Sequence, residues 1–244
     1  MIQRQDGWVF LSHSTKDYES VRQIRNELEN HGFRPIMFFL KCLTDGDELD
    51  SLIYREIAAR RWFIYIDSTN SRASDKVKQE LDYARTMGKK IHTIYSEQDF
   101  QPQLWEVMRR ATVFLSYSHK DQSIADQIRR KLIENDFQTW WDENIHAGSS
   151  ITTQNHNAIS DAGFVLLLLT EQSVQSDYVL QEMKYAQKQK HFIIPVLIGN
   201  IQLPFEWYAL LGLRQFPHIS ASPTDAELDE LIERIIQFHE EEIQ

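Results

Sequence analysis

The chain has 244 residues, of which 42% are hydrophobic and 25% are charged, a composition typical of globular rather than disordered proteins. This length accommodates two compact domains. The formal net charge of −10 repels a phosphate backbone, and no basic stripe offsets it locally, so we expect no nucleic-acid partner.

The sequence also indicates the cellular compartment of the protein. Cys42 is the only cysteine, so an internal disulfide is impossible and a reducing compartment is indicated. Residues 1–7 are polar and unlike a signal peptide. The longest apolar run, residues 164–169, is far shorter than the ~20 residues of a membrane span. We therefore expect a soluble, cytoplasmic protein without a membrane partner.

The first part of the chain alternates short apolar runs with amphipathic stretches, the pattern of strands and crossover helices around a parallel sheet. It predicts four strands, at residues 8–11, 36–39, 62–66 and 91–95. Residues 96–110 then leave room for a short helix around residues 104–108, but not for a fifth strand and a closing helix. We predict a truncated first domain over residues 1–110 that leans on the second, without a flexible linker.

The second part, residues 111–244, predicts a complete domain with five strands, at residues 113–115, 138–141, 164–169, 193–198 and 214–219. Ser118 lies three residues before Asp121, a capping arrangement for the next helix. Thr224 and Glu227 have capping-box spacing. The helix that they open carries an apolar face formed by Leu228, Leu231, Ile232 and Ile235.

The two parts are copies of one unit. Residues 9–17 read VFLSHSTKD and residues 113–121 read VFLSYSHKD, with seven of nine positions identical at an offset of 104. Residues 74–84 read SDKVKQELDYA and residues 176–186 read SDYVLQEMKYA, at an offset of 102. Two separated matches in the same order indicate a tandem duplication.

Five ordered blocks of the second copy resemble the Toll/interleukin-1 receptor (TIR) domain family in its bacterial form. They are VFLSYSHKD, TWWDENIHAGSSI, AISDAGFVLLLLT, SDYVLQE and IIPVLI, and the resemblance covers residues 112–240. It implies a flavodoxin-like fold with a five-stranded parallel sheet. The expected fold class is therefore α/β, with two flavodoxin-like domains in tandem, the first truncated.

The resemblance also implies an activity. Many members of the family cleave NAD at the nicotinamide–ribose bond, often in bacterial antiphage defence, whereas others only assemble into signalling scaffolds. The family's catalytic glutamate lies in a segment Ser-x-aromatic-x-x-x-Glu, which matches Ser176, Tyr178 and Glu182. The resemblance thus implies Glu182 as the catalytic residue and NAD as substrate, with no cofactor and no metal.

Cleavage of the nicotinamide–ribose bond is a reaction that a carboxylate can assist. Loss of nicotinamide leaves positive charge on the ribose, as in glycoside hydrolysis, and a nearby carboxylate stabilises it. If Ser176 caps its helix, Tyr178 and Glu182 share a face, with Glu182 at the edge of a cleft. Loops at the carboxyl ends of the first two strands would complete the pocket. The expected substrate-binding residues are Tyr117, Ser118, Lys120, Trp141, Asp142, Ser149, Ser176 and Tyr178.

Simpler readings stay open for these residues. A lone glutamate on a helix is usually a solvated carboxylate, and for Glu182 the surrounding motif favours the catalytic role over that alternative. Of Trp140 and Trp141, at successive strand positions, one should be core and the other could line the cleft. Asp142 either contacts substrate or ends the strand.

The first copy has a degenerate version of this site, marked by Glu80 and His13. Lys76 replaces the aromatic residue and can form an ordinary surface ion pair with Glu80. Phe38 stands where the second copy has Asp142. The following loop is acidic and disfavours an anionic dinucleotide, through Asp45, Asp47 and Glu48. We expect this site to be inactive or specialised for another contact.

Other classes of site are not supported. The sequence contains no GxxxxGK[ST], GxGxxG or GxSxG segment, and its nine histidines lack metal-ligand spacing. Two hypotheses remain: an NAD-cleaving enzyme of bacterial immune signalling, and a non-catalytic module that assembles with itself, another TIR protein or an effector.

Overall fold

The computed structural model describes residues 7–37, 46–140, 151–212 and 216–242, with the backbone alone at residues 46–48, 151, 152 and 242. The chain forms two compact units, divided after Ala111, with the short segment Asn135–Gln138 grouped with the first. No helix in these ranges is long and apolar enough to span a bilayer.

The first unit is a four-stranded sheet with the order β2-β1-β3-β4, and its strand pairs are parallel. The truncation predicted from the sequence is confirmed, since α5 follows β4 and the next strand belongs to the second sheet. The elements are β1 Gly7–Ser12, α1 Tyr18–Asn30, β2 Phe33–Ile36, α2 Gly46–Ala59, β3 Trp62–Asp67, α3 Thr69–Ala73, α4 Asp75–Thr86, β4 Ile91–Tyr95 and α5 Phe100–Arg110.

The second unit is a five-stranded sheet with the order β6-β5-β7-β8-β9. In sequence order this is 2-1-3-4-5, the flavodoxin-like arrangement, so the predicted fold class is confirmed. The elements are β5 Thr112–Ser116, α6 Gln122–Glu134, β6 Gln138–Trp140, α7 Ile151–Asp161, β7 Phe164–Leu169, α8 Asp177–Lys188, β8 Phe192–Ile198, α9 Phe205–Leu211, β9 His218–Ile219 and α10 Asp225–Glu242.

The core of the second unit is centred on β7. All six residues of β7 are buried, because parallel strands β5 and β8 flank it and helices cover both faces of the sheet. From α8, the apolar residues Val179, Met183 and Ala186 are fully buried in the same core. This packing fixes the face that α8 turns toward the sheet, and therefore the position of Glu182 on the next turn.

Helix termini follow the expected chemistry in two of three places. The Ser176 hydroxyl accepts from the Val179 N–H and caps α8. Thr224 and Glu227 form the capping box of α10, each accepting from the other's backbone N–H. The prediction for Ser118 is wrong: its side chain makes no capping bond, and its carbonyl instead accepts from the Asp121 N–H in a 3₁₀ turn.

Two strand boundaries differ from the predicted ones. The second strand was predicted at residues 36–39, but β2 runs from Phe33 to Ile36 and includes Pro35. Proline is tolerated there because β2 is an edge strand. The described part of the fifth strand is short, with only His218 and Ile219 paired to Leu197 and Ile198.

An aromatic pair holds the corresponding helices together in each copy. In the second unit His156 of α7 stacks on Tyr185 of α8, with ring centroids 3.7 Å apart. In the first unit Tyr54 of α2 packs on Tyr83 of α4 at 4.6 Å. Both pairs are related by the 102-residue offset of the repeat. The duplication therefore preserves the packing of the helix that precedes the third strand on the helix that carries the glutamate.

Candidate functional site

Glu182 lies on α8 and is only 5% exposed. The alternative of a solvated helical carboxylate is therefore wrong: Val179 and Met183 are buried in the core around β7, and Glu182 lies between them on α8. A buried carboxylate needs hydrogen-bond donors, because its desolvation is costly. The structure supplies donors to both of its oxygens.

The first donor is Ser116, the last residue of β5. Its hydroxyl donates to Oε2 of Glu182 at 2.5 Å, and Ser116 is 1% exposed. Glu182 therefore lies at the carboxyl end of β5, beside β7, where the strand order of the sheet reverses. Open α/β sheets bind their ligands at this point.

The second donor is Asn155 of α7, which is 1% exposed. Its Nδ2 donates to Oε1 of Glu182 at 2.7 Å and to the Tyr178 hydroxyl at 2.5 Å. Tyr178 and Glu182 thus share one face of α8, as their spacing predicts, and one amide bridges them.

The loop after β5 is fastened to the loop after β7. The Thr170 hydroxyl donates to a carboxylate oxygen of Asp121 at 2.6 Å, and the Thr170 N–H donates to the Ser173 hydroxyl. In the first unit Asp17 takes the place of Asp121 and accepts from Ser68 and Asn70. The aspartate that ends the repeated S-x-S-x-K-D segment is therefore a loop anchor in both copies.

The residues predicted from that loop lie at different depths. Tyr117 is buried and packs edge-on against His119. Ser118 is half-buried, and Lys120 is exposed and donates to Gln172 at 3.3 Å. Trp140 is half-buried and packs on the core, which supports the core reading for it. The three other predicted substrate-binding residues, Trp141, Asp142 and Ser149, lie outside the described residues.

In the first copy the glutamate is also buried. Glu80 is 7% exposed and accepts from the Ser12 hydroxyl at 2.6 Å, where Ser12 corresponds to Ser116. Burial raises the pKa of Glu80 to about 7, opposed by the Ser12 hydrogen bond and by the charge of Lys76. The predicted surface ion pair between Lys76 and Glu80 is wrong, since Glu80 is not at the surface and Lys76 contacts Asp50.

Two substitutions separate the first site from the second. The offset of 102 places Lys76 at the position of Tyr178 and Ile53 at the position of Asn155. Ile53 is 3% exposed and packs in the core with Phe10. The first copy therefore keeps the serine–glutamate pair and lacks the asparagine–tyrosine pair.

His13 stands where the second copy has Tyr117. It is buried, and its Nδ1–H donates to the Leu11 carbonyl at 3.0 Å. Burial is the largest influence on His13 and lowers its pKa. The hydrogen bond to Leu11 and the charge of Asp17 raise the pKa by smaller amounts. A neutral imidazole at this position adds no positive charge for a dinucleotide. Phe38 and Asp45 lie outside the described residues, and the side chains of Asp47 and Glu48 are not described.

Sequence reasoning missed Ser116 and Asn155. Both left a signal. Ser116 and Ser12 are identical at the end of the first strand of each copy. Asn155 lies four residues before Ile159 on the buried face of α7, where a polar residue requires a partner.

Ser116→Ala is expected to lower the free energy of unfolding of the second unit by about 2 kcal/mol, because a buried carboxylate oxygen loses its hydroxyl donor. Urea unfolding of the full chain measures this. Ser118→Ala is the matched control and should stay within about 0.5 kcal/mol of wild type. Equal effects of the two substitutions would contradict the assigned role of Ser116.

The arrangement presents one oriented carboxylate at the ligand-binding end of a parallel sheet, with a tyrosine beside it. Across the described ranges, no cluster of three or more His, Cys, Asp or Glu side chains is placed to hold a metal ion. The chemistry that these residues can perform is the stabilisation of developing positive charge and the orientation of hydroxyl groups by hydrogen bonds.

Comparison with known proteins gives the family. The TIR domain family matches the chain twice, at residues 9–110 and 113–236. A protein of Sinorhizobium fredii named y4lF is 29% identical over 121 residues, which cover 48% of this chain and 36% of that protein. The chain thus spans about a third of the length of this curated relative.

Among solved structures, the TIR domain of the Toll-related receptor TRR-2 from Hydra magnipapillata aligns with a TM-score of 0.44 at 13% identity. This alignment covers 52% of this chain and 97% of that domain. The TIR domains of the activated Roq1 resistosome, which recognises the pathogen effector XopQ, align with a TM-score of 0.41 at 17% identity. They cover 52% of this chain and 97% of that chain. Because its two family matches together span most of the sequence, the chain belongs to the TIR domain family and carries two TIR domains in tandem.

Proposed function

We propose that the second domain cleaves NAD at the nicotinamide–ribose bond, with Glu182 as the catalytic residue, in bacterial antiphage or immune signalling. The family includes NAD-cleaving enzymes as well as scaffold modules. The observation that carries the proposal is the carboxylate of Glu182 at the carboxyl end of β5, with Ser116 and Asn155 donating to its two oxygens. It lies in the Ser176–Tyr178–Glu182 segment that resembles the family's catalytic one.

The proposed step breaks the C–N bond between ribose and nicotinamide. The bonding electron pair leaves with nicotinamide, and the ribose carbon becomes electron-poor until a nucleophile adds to it. A carboxylate close to the ribose stabilises this charge and orients the ribose hydroxyls. Water, a group of the same nucleotide, or another acceptor then forms the new bond, which gives ADP-ribose, a cyclic product or a conjugate.

The proposed setting is the cytoplasm, where the single residue Cys42 stays reduced. TIR domains commonly self-associate or bind other TIR proteins, and we propose assembly with a second copy, a TIR protein or an effector as the event that activates turnover. Nucleic acid and membranes are not proposed partners, given the net charge of −10.

One observation favours a second candidate, a non-catalytic assembly module. Ser12 and Glu80 form the same buried pair in a copy that lacks the tyrosine and the asparagine. The serine–glutamate pair can therefore serve the fold alone. In this reading Glu182 links α8 to β5 and does no chemistry.

Incubation of the purified, assembled chain with NAD, followed by mass spectrometry of the nucleotides, separates the two candidates. The enzyme proposal predicts equal amounts of released nicotinamide and ADP-ribose-derived product. Intact NAD after incubation of the assembled protein, with its activating partner present, would favour the module.

A further inference from the structure

Asn155 makes two contacts from one nitrogen. Its Nδ2 lies 2.7 Å from Oε1 of Glu182 and 2.5 Å from the hydroxyl oxygen of Tyr178. An amide nitrogen carries two hydrogens and can donate to both acceptors at once. The amide therefore ties two side chains of α8, one turn apart, to a single point on α7.

Packing holds this point in place. On the next residue of α7, His156 stacks face to face on Tyr185 of α8, and the hydroxyls of Ser160 and Tyr185 are 3.1 Å apart. Asn155 is itself 1% exposed. Its amide has little freedom to leave the two acceptors.

The Asn155 amide also restricts the rotation of the Glu182 carboxylate. The terminal torsion of glutamate is broad, so a carboxylate held at one oxygen can rotate. Ser116 holds Oε2 from the sheet, and Asn155 holds Oε1 from α7. Two donors on the two oxygens fix the plane of the carboxylate.

The first copy provides an internal comparison. It keeps the buried serine–glutamate pair but has Ile53 in place of Asn155 and Lys76 in place of Tyr178. Ile53 is buried in the core, so an apolar side chain at this position is compatible with the fold. The fold of the repeated unit therefore does not require an asparagine–tyrosine pair, and the second copy carries this pair beside its glutamate.

From this geometry we propose that Asn155 and Tyr178 are positioning residues that orient the carboxylate of Glu182 for the ribose of the substrate. This inference rests on the proposed function. Neither residue is assigned contact with the reacting atoms. Their effect is to keep Oε1 where it stabilises the developing charge, and a displacement of about 1 Å there costs on the order of 100-fold in rate.

The kinetic test compares Asn155→Leu and Tyr178→Phe with wild type for nicotinamide release from NAD. Asn155→Leu should lower kcat by roughly 10- to 100-fold while KM changes by less than about 3-fold, because orientation and not binding is lost. Tyr178→Phe should lower kcat less, since the amide still reaches Glu182. Asn157→Leu, at an exposed position of the same helix, should match wild type. An unchanged kcat in Asn155→Leu would overturn the proposal.

A second readout needs no activity. The side-chain amide resonance of Asn155, identified by its loss in Asn155→Leu, should move in both Tyr178→Phe and Glu182→Gln. A resonance that moves in neither variant would overturn the bridge, whatever the turnover. Wild type that does not cleave NAD would overturn the enzyme proposal. If the Asn155 resonance still moves in both Tyr178→Phe and Glu182→Gln, the assignment of Asn155 as the residue that orients Glu182 is retained.

Discussion

Replacement of Glu80 by glutamine should raise the free energy of unfolding of the first domain by about 3 kcal/mol near pH 8. Glu80 is 7% exposed, and its burial raises its pKa from 4.5 to about 7. Above that pH the folded domain must hold a buried charge, which the Ser12 hydrogen bond and the charge of the nearby Lys76 offset in part. Glutamine keeps the shape and accepts the same Ser12 hydrogen bond without the charge.

The direction of the pH dependence follows from the raised pKa. Because the folded state binds this proton more tightly than the unfolded state, the contribution of Glu80 to stability falls as the pH rises from 4.5 to about 7 and is constant outside this window. In Glu80→Gln this contribution disappears. Wild type and Glu80→Gln should therefore differ little at low pH and most above neutrality.

Urea unfolding followed by hydrogen-exchange mass spectrometry of peptides from β3, at several pH values, measures the effect in the first domain. Asp82→Asn on the same helix is the matched control, since Asp82 is exposed and pairs only with Arg85 among the contacts described for it. It should stay within about 0.5 kcal/mol of wild type. If the free energy of unfolding depended on pH in the same way in wild type and Glu80→Gln, the assignment of a buried charge on Glu80 would be contradicted.

The fold was predictable because its signals are repeated. Apolar runs such as residues 164–169 mark central strands that are covered on both faces, and the 104-residue offset reproduces the opening strand of each domain. The truncation of the first domain followed from the few residues between its fourth strand and the next copy. The edge strand β2 was misplaced because the apolar residues after Pro35 have a stronger strand pattern than the strand itself.

The candidate site was predictable only in part. The motif gave Ser176, Tyr178 and Glu182, but spacing along one helix did not show that the carboxylate faces inward. That depends on how α8 packs against β7, and on the donors that Ser116 and Asn155 bring from other elements. Those donors lie 66 and 27 residues away in sequence, so no local pattern connects them to Glu182.

The largest expected effect on activity comes from Glu182→Gln. Without the carboxylate charge, the developing positive charge on the ribose loses its stabilisation. Nicotinamide release should fall by about 1,000-fold or more, on the order of 4 kcal/mol in the barrier. The substitution keeps the side-chain shape and an oxygen that accepts from Ser116, so the fold should persist.

The duplication supplies the matched control for this substitution. Glu80→Gln makes the same chemical change in a site that has Ile53 and Lys76 in place of the asparagine and the tyrosine. Since the first site lacks those groups, Glu80→Gln should retain turnover within about 2-fold of wild type. Loss of turnover in both variants would instead assign a role to the first domain.

The most direct test is therefore the rate of nicotinamide release from NAD by assembled wild type, Glu182→Gln and Glu80→Gln, measured side by side by mass spectrometry. The proposed function predicts turnover in wild type and Glu80→Gln and its loss in Glu182→Gln. Equal turnover in wild type and Glu182→Gln would contradict the assignment of Glu182 as the catalytic residue.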